Sequence, residues 1–505
     1  MTVVQLKQKN LFQLAPTVVR SPVEKEKFGA GIVHLGIGAF HRAHQAVYTQ
    51  AAIAAEAGDW GILGVSLRSS HVRDLLSAQD NLYSVIHVSD KGESVQLVSV
   101  IKDVLFAGAE PDAVVDALAD HRIKIVTLTI TEKGYHQDPA SGNLKLADPE
   151  IIHDLDLTLP ARTALGFLVR GLKRRQATGG GPLTLISCDN LPENGRVLMR
   201  LLQQFCTEAA PELLPWLAEQ VTCPCSMVDG IVPAATSASL QQATQLLGLN
   251  DHAAIVCEDF RQWVIEDNFA GDRPAWEAAG VELVADVRPF EKMKLRLLNG
   301  GHSALAYLGY LGGYQTIAEV MADPSYKAFA LRLMCDEAGL SIRLPEGYDL
   351  AVQAQSVITR FSNPGLAHRT WQICMDGSQK LPPRLLTSLY SQMAIGRPMP
   401  CILLAVAAWM IYVGGRDEQG GPIEVSDPLA EEMMHLHMAA DGDDQKLVVG
   451  FLAMDKIFGA PEELPKDLAA LLTENVTALQ REGARSCVKK LEIRTRDQIV
   501  NILNN

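Results

Sequence analysis

Lys294, Asn299 and His302 lie five and then three residues apart inside "FEKMKLRLLNGGHSALAYLGYLGG", a Leu/Ala-rich stretch running from Phe290 to Gly313. An amine, an amide and an imidazole are the groups needed to move a proton on a hydroxyl or carbonyl and to steady the charge left on oxygen. Drawn as an ideal helix, Glu291, Lys294 and His302 fall on one side, interleaved with Leu295, Leu298 and Leu305. Asn299 falls at the edge of that side, and Lys292, Ser303 and Arg296 gather on the opposite side, the one expected to face water. The projection therefore predicts Glu291, Lys294 and His302 among leucines. Burial disfavours a charged lysine unless it is paired, and a desolvated amine is a competent general base near neutral pH. A purely structural Glu291–Lys294 pair fits the same spacing. Gly300 and Gly301 weaken the helix, and the expectation is that they leave room for a substrate.

A second chemical element is "HLGIGAFHRAH". Gly36 and Gly38 match the first two glycines of a dinucleotide turn, where one permits the tight bend and the other lets the backbone approach a pyrophosphate. The third glycine is replaced by His41. An apolar run precedes the turn and an alanine-rich helix, with Ala43, Ala46, Val47, Ala51 and Ala54 on one face, is expected after it. His41 and His44, flanking Arg42, read as pyrophosphate-side or packing groups. Where the second strand ends, a carboxylate normally binds the adenosine ribose; here the residues are Leu67, Arg68, Ser69 and Ser70. Arg68 with two hydroxyls suits a 2′-phosphate, or else stacks on adenine or faces water, so NAD and NADP both stay open.

These groups need a framework to hold them. "WGILGVSL", "IKIVTLTITEKGY" and "PLTLISCDNLPENG" read as buried strands alternating with helices such as "RTALGFLVRGLKRRQ", the pattern of a parallel sheet covered on both faces. After about residue 285 helical patterns take over. The expectation is an α/β protein with a Rossmann-like doubly wound domain over residues 1–285 and a mainly α-helical substrate and catalytic domain over residues 286–505. The 505 residues exceed what one core organises. The net charge of −14 argues against a nucleic-acid surface but permits a local cationic pocket for an anionic small molecule. The N-terminus has no signal-type apolar core, and "CILLAVAAWMIYV" is too short to span a bilayer, so no membrane role is expected. Nine cysteines without a paired framework point to the cytoplasm. Cys223 and Cys225 lack the second ligand pair of a zinc site, and the Asp441–Asp444 acids lack the pattern of a calcium loop. No metal is expected.

Taken together, the glycine turn, the Lys-x4-Asn-x2-His run and the stretches "TLTITEKGY", "SCDNLPENG", "FRQWVIEDNF" and "HRTWQICMDGSQKLPPRLL" resemble the mannitol dehydrogenase family of polyol-specific long-chain dehydrogenases, over nearly the whole chain. The last of these, with "ADVRPFEKMKL", looks most like the family's fructuronate reductase branch. The resemblance implies zinc-independent, NAD(P)-dependent interconversion of a secondary alcohol and a ketone. It implies Lys294 as the acid/base, Asn299 and Asn190 as oxyanion partners, His302 orienting the substrate and Glu291 on a proton route. Asp229, Arg369 and Lys380 would line the substrate pocket, with Arg369 able to fork onto a carboxylate. Gly36, Ile37, Gly38, Ala39, Phe40, His41, Arg42, Arg68, Thr131 and Glu132 would meet the cofactor. The family's usual arginine after Val228-Asp229 is Gly230 here. The substrate implied is D-fructuronate or D-mannonate, with a mannitol or arabinitol 2-dehydrogenase as the alternative. A non-catalytic sugar-acid-binding protein is the alternative of another class. The resemblance leans towards a monomer, with weak self-association open.

Overall fold

The computed structural model describes residues 4–491 except 90, 139, 140 and 367. The chain divides into two compact units, one up to Arg288 and one from Pro289 on.

The first unit is organised by six parallel strands: Ala30–Leu35 (β1), Gly61–Ser66 (β2), Ile101–Phe106 (β3), Ile125–Leu128 (β4), Leu183–Ser187 (β5) and the short Val221–Thr222 (β6). They pair in the order β3-β2-β1-β4-β5-β6, with the first strand central. β4 and β5 are buried along their whole length, as expected of a sheet covered on both faces. The order reverses between β1 and β4, which opens a crevice at their carboxyl ends. Two three-stranded sheets complete the unit. One pairs the hairpin Tyr83–Ser89/Gly92–Val98 with Ile255–Glu258, and the other joins Ser226–Asp229, Gln262–Glu266 and Glu282–Val284.

The helix after the glycine turn differs from the sequence expectation. It is two helices, Ala39–Ala43 (α1) and Gln45–Ala55 (α2), broken at His44, whose backbone leaves the helical region at φ −119°, ψ −86°. The break turns the buried face, so Ala46, Val47, Ala52 and Ile53 pack inward while Ala54 is exposed. The sequence reading of "TLTITEKGY" as strand also ends early: β4 stops at Leu128, and a 3₁₀ turn, Glu132–Tyr135, follows.

Among its described residues, the elements of the second unit are all helices, joined by turns and loops. At its centre are Gly300–Leu311 (α3) and Pro400–Tyr412 (α4). α4 is the "CILLAVAAWMIYV" run, buried on nearly every side as its uniform apolarity requires. No helix among the described residues is long and apolar enough to cross a membrane.

Candidate active site

In the first unit the glycine turn follows β1. Gly36 has φ +94°, and a Cβ there would lie 2.2 Å from the Thr129 carbonyl oxygen, so only glycine fits. Thr129 Oγ1 donates to the Gly36 carbonyl at 2.8 Å, while Gly36 and Ile37 N–H donate to Val65. Gly38 is different. The nearest atom to a Cβ built on it is 3.8 Å away, which leaves open space above the backbone at the start of α1. A tight first glycine and an open second one at the crevice end of β1 fit the pyrophosphate of a dinucleotide.

The side chains around the turn divide into interior and exterior groups. Ile37 is buried and fills the space left by Gly64. His41 is buried and stacks on His34 with ring centroids 3.4 Å apart, and burial pushes its protonation far down. His34 is pinned by Thr127 Oγ1 at 2.7 Å and Thr129 Oγ1 at 2.9 Å. Arg42 is buried too, donating to the Ala253 carbonyl at 2.7 Å and receiving the Tyr83 hydroxyl on its own carbonyl. The side chains of His41 and Arg42 are thus built into the interior, the packing alternative of the sequence reading. Ala39 and Phe40 are half-buried, with Phe40 stacked on His44, and Arg68, Thr131 and Glu132 are exposed.

Asp189 ties the loop after β4 to the loop after β5. It accepts the N–H groups of Ile130 at 3.0 Å and Thr131 at 2.9 Å, and the Tyr135 hydroxyl at 2.7 Å. These bonds hold Thr131 at φ +64°, and burial raises the Asp189 carboxyl to about 6. Asn190, next in the chain, is exposed. Asn194 is the residue that sequence reasoning missed here. Fully buried, it donates to the carbonyls of Ser187, Asp189 and Ser226 and accepts the Ser226 N–H, clamping the turn that carries Asn190. The second asparagine of "CDNLPENG" is its only sequence signal. Asp229 is 6% exposed at the end of its strand, paired with Gln262. A Cβ on Gly230 would make only ordinary contacts, 3.6 Å to the Phe260 carbonyl oxygen and 3.7 Å to His44, so nothing steric requires glycine there. The Cys223–Cys225 stretch packs on Gly195, whose absent side chain makes room for the Cys223 carbonyl. All nine cysteines are free.

In the second unit the Lys-x4-Asn segment is not an α-helix. Lys294–Asn299 is one π-helical stretch between Arg288–Met293 and α3, a wider turn of a kind often found at functional sites. The ideal projection therefore fails partway. Glu291 and Lys294 are half-buried and His302 is 8% exposed, but Ser303, projected to solvent, is 1% exposed, and Arg296 is half-buried, donating to Ser341. Of the projected solvent face only Lys292 is exposed. The two glycines differ. A Cβ on Gly300 would lie 2.8 Å from the Arg384 carbonyl oxygen, so this glycine admits close packing of that segment, whereas one on Gly301 would make only ordinary contacts with Met334 and Phe361.

Around His302 the structure gathers a polar group that the apolar core does not satisfy. The ring stacks on Phe361 at 4.7 Å and meets the His368 ring edge-on at 4.7 Å. Burial above all, then the charges of His368, Arg384, Arg360 and Lys380, pushes protonation of His302 far down, so its imidazole is neutral. Burial and Lys380 lower His368 in the same way. His302 Nε2, His368 Nδ1 and Asn299 Oδ1 are buried without a hydrogen-bond partner. Leaving such atoms unsatisfied costs roughly 1–3 kcal/mol each. His368 escapes the sequence reading, which singles out Arg369 beside it. Arg369 is exposed and precedes the Thr370–Cys374 helix, whereas Lys380 is half-buried and donates to the Met375 carbonyl at 2.5 Å.

Among the described residues, His136, Asp148 and Glu150 are the one trio close enough to share a metal ion. Asp148 lies 3.1 Å from one His136 ring nitrogen and Glu150 3.6 Å from the other.

Comparison with known proteins bears on both units. Residues 30–278 match the mannitol dehydrogenase Rossmann domain and residues 286–480 the mannitol dehydrogenase C-terminal domain. The chain is 44% identical to D-mannonate oxidoreductase of Escherichia coli K12 over 480 residues, covering 94% of this chain and 98% of the relative. It is 37% identical to mannitol 2-dehydrogenase of Phaeosphaeria nodorum, covering 96% of this chain and 85% of the relative. Among solved structures it is similar to Pseudomonas fluorescens mannitol 2-dehydrogenase in ternary complex with NAD and D-mannitol, at TM-score 0.87 and 38% identity, over 97% of this chain and 99% of that one.

Proposed function

The chain belongs to the mannitol dehydrogenase family, and from that premise we propose that it interconverts D-fructuronate and D-mannonate with Lys294 as acid and base. It is an NAD-dependent secondary-alcohol oxidoreductase. The observation that carries the sugar-acid reading over a neutral polyol is the 44% identity to D-mannonate oxidoreductase over 94% of this chain, against 37% to mannitol 2-dehydrogenase.

The nicotinamide, when bound, supplies or removes hydride at the C5 carbon. Gly36 and Gly38 shape the backbone that receives its pyrophosphate, with Ile37, Ala39 and Phe40 continuing the turn and Thr131 and Glu132 bordering it. In reduction Lys294 gives its proton to the C5 oxygen, and in oxidation its neutral amine takes the hydroxyl proton. Asn299 hydrogen-bonds that oxygen as charge develops, an effect worth roughly 10²–10³ in rate for one such donor, and Asn190 is the second donor that the family resemblance implies. Glu291 returns the proton to solvent. Lys294 and Asn299 take the part a Lewis acid would play at the oxygen, so the chemistry calls for no zinc. His302 and His368, both neutral, bond substrate hydroxyls, while Arg369 and Lys380 border the rest of the substrate, and Asp229 is a further pocket residue that the family resemblance implies.

NADH consumption with fructuronate, fructose and tagaturonate tests this directly. The expected order puts fructuronate first in kcat/KM. Faster reduction of fructose would move the assignment to a mannitol 2-dehydrogenase, the reading that the likeness to the P. fluorescens enzyme favours. No turnover with any of the three would favour a binding protein, for which the unrequired glycine at 230 is the supporting feature. A second expectation concerns the missed histidine. His368→Asn should raise KM for the sugar about tenfold or more, the loss of one buried hydrogen bond, and leave kcat nearly intact. An unchanged KM would remove His368 from the substrate site.

A further inference from the structure

The carboxyl ends of β2, β3 and β4 face a cavity of about 530 Å³ in the first unit. In a sheet of this strand order, that is where the adenosine half of a dinucleotide lies. Leu67, Ala107 and Ile130 give the cavity apolar walls suited to a purine. Its charged lining is unusual for an NAD site. No carboxylate stands at the end of β2 to take the ribose 2′-hydroxyl. Instead, Ser66 Oγ donates to the Ser69 carbonyl at 2.5 Å and closes a turn that leaves Arg68 exposed on the cavity wall. Arg162 lines the cavity as well. Neither guanidinium takes part in an ion pair among the described residues. The one acid in the lining, Glu150, lies 3.6 Å from His136 Nε2.

We propose that this cavity is a 2′-phosphate-tolerant adenosine site in which Arg68 is the specificity-determining residue, so that the enzyme takes NADPH as well as NADH. A phosphate is matched by the guanidinium fork, and a bare hydroxyl neither requires nor repels it. A carboxylate in the same place would bind the hydroxyl and repel the phosphate. The inference rests on the dinucleotide reading of the first unit and is independent of the sugar assigned above.

Binding is the appropriate readout, because it needs no sugar. Titration of the full-length protein with NADH and NADPH, followed by nicotinamide fluorescence at low salt, should give dissociation constants within about tenfold of each other. Adenosine 2′,5′-bisphosphate should displace NADH better than 5′-AMP does. Arg68→Glu should weaken NADPH by roughly 10–100-fold, the worth of a charge-assisted bond, while NADH binds as well or better through the new carboxylate and an unchanged thermal melt reports that the variant is folded. NADPH binding more than about 100-fold weaker than NADH in the unaltered protein would overturn the proposal. An Arg68→Glu variant that loses both cofactors equally, or neither, would overturn it too. Failure of NADH itself to bind would instead refute the dinucleotide reading on which it stands.

Discussion

Lys294→Ala is expected to lower kcat by roughly 10²–10⁴-fold, the range of a general acid–base contribution, with NADH affinity and thermal stability preserved. The expectation follows from position. Lys294 opens the π-helical stretch, is half-buried, and lies one and two turns before Asn299 and His302 on the same run of backbone. A lysine held there solely to pair with Glu291 would give the opposite pattern, with stability falling and turnover per folded molecule kept. Small primary amines added to the Lys294→Ala protein supply the missing base and should restore part of the rate. Rescue that follows the basicity of the added amine would establish proton transfer as the lost function. Full activity without rescue would end the acid/base assignment.

The second large effect concerns folding. Glu337 is 1% exposed, and its two carboxyl oxygens accept the N–H groups of Cys401 at 2.8 Å and Ile402 at 2.9 Å. It therefore caps α4, the most apolar helix of the second unit, whose first residue, Pro400, has no N–H to satisfy. Burial raises the Glu337 carboxyl from 4.5 to about 7, against the opposing pull of those two N–H groups. The folded state thus prefers the protonated acid. Its contribution is fully present below the unfolded value of 4.5 and is withdrawn as pH rises through about 7, a change of roughly 3 kcal/mol. Glu337→Ala strands two N–H groups in the core and should cost roughly 2–4 kcal/mol near pH 5. For a unit of this size that is a fall of roughly 5–15 °C in Tm. The gap between the two proteins should narrow from pH 5 to pH 8. A gap independent of pH would mean that the carboxyl is ionised throughout, and no gap at all would mean that α4 does not need the cap.

Much of the framework is legible in the residues. Apolar runs of four to six residues alternating with amphipathic segments dictate a parallel sheet, and the spacing of Gly36 and Gly38 marks the turn beside it, because backbone sterics act over neighbouring residues. The unbroken apolarity of Cys401–Val413 likewise specifies a buried helix. Lys294, Asn299 and His302 are visible as polar residues in an apolar setting. What the sequence leaves out depends on contacts between distant segments. The π-helical stretch at Lys294–Asn299 defeats any ideal projection, which is why that projection puts Ser303 and Arg296 in solvent. The interior fates of His41 and Arg42 depend on His34 and Ala253. Gly300 answers to the Arg384 carbonyl, 84 residues away in the chain. His368 acquires meaning only when its ring is found against His302, and Asn194 only when Ser226 closes on it. The sequence by itself determined which groups could do the chemistry and the scaffold types that carry them. The tertiary structure decided which of those groups are spent on holding the protein together, because hydrogen-bond satisfaction and close packing are set by neighbours that the linear order does not reveal.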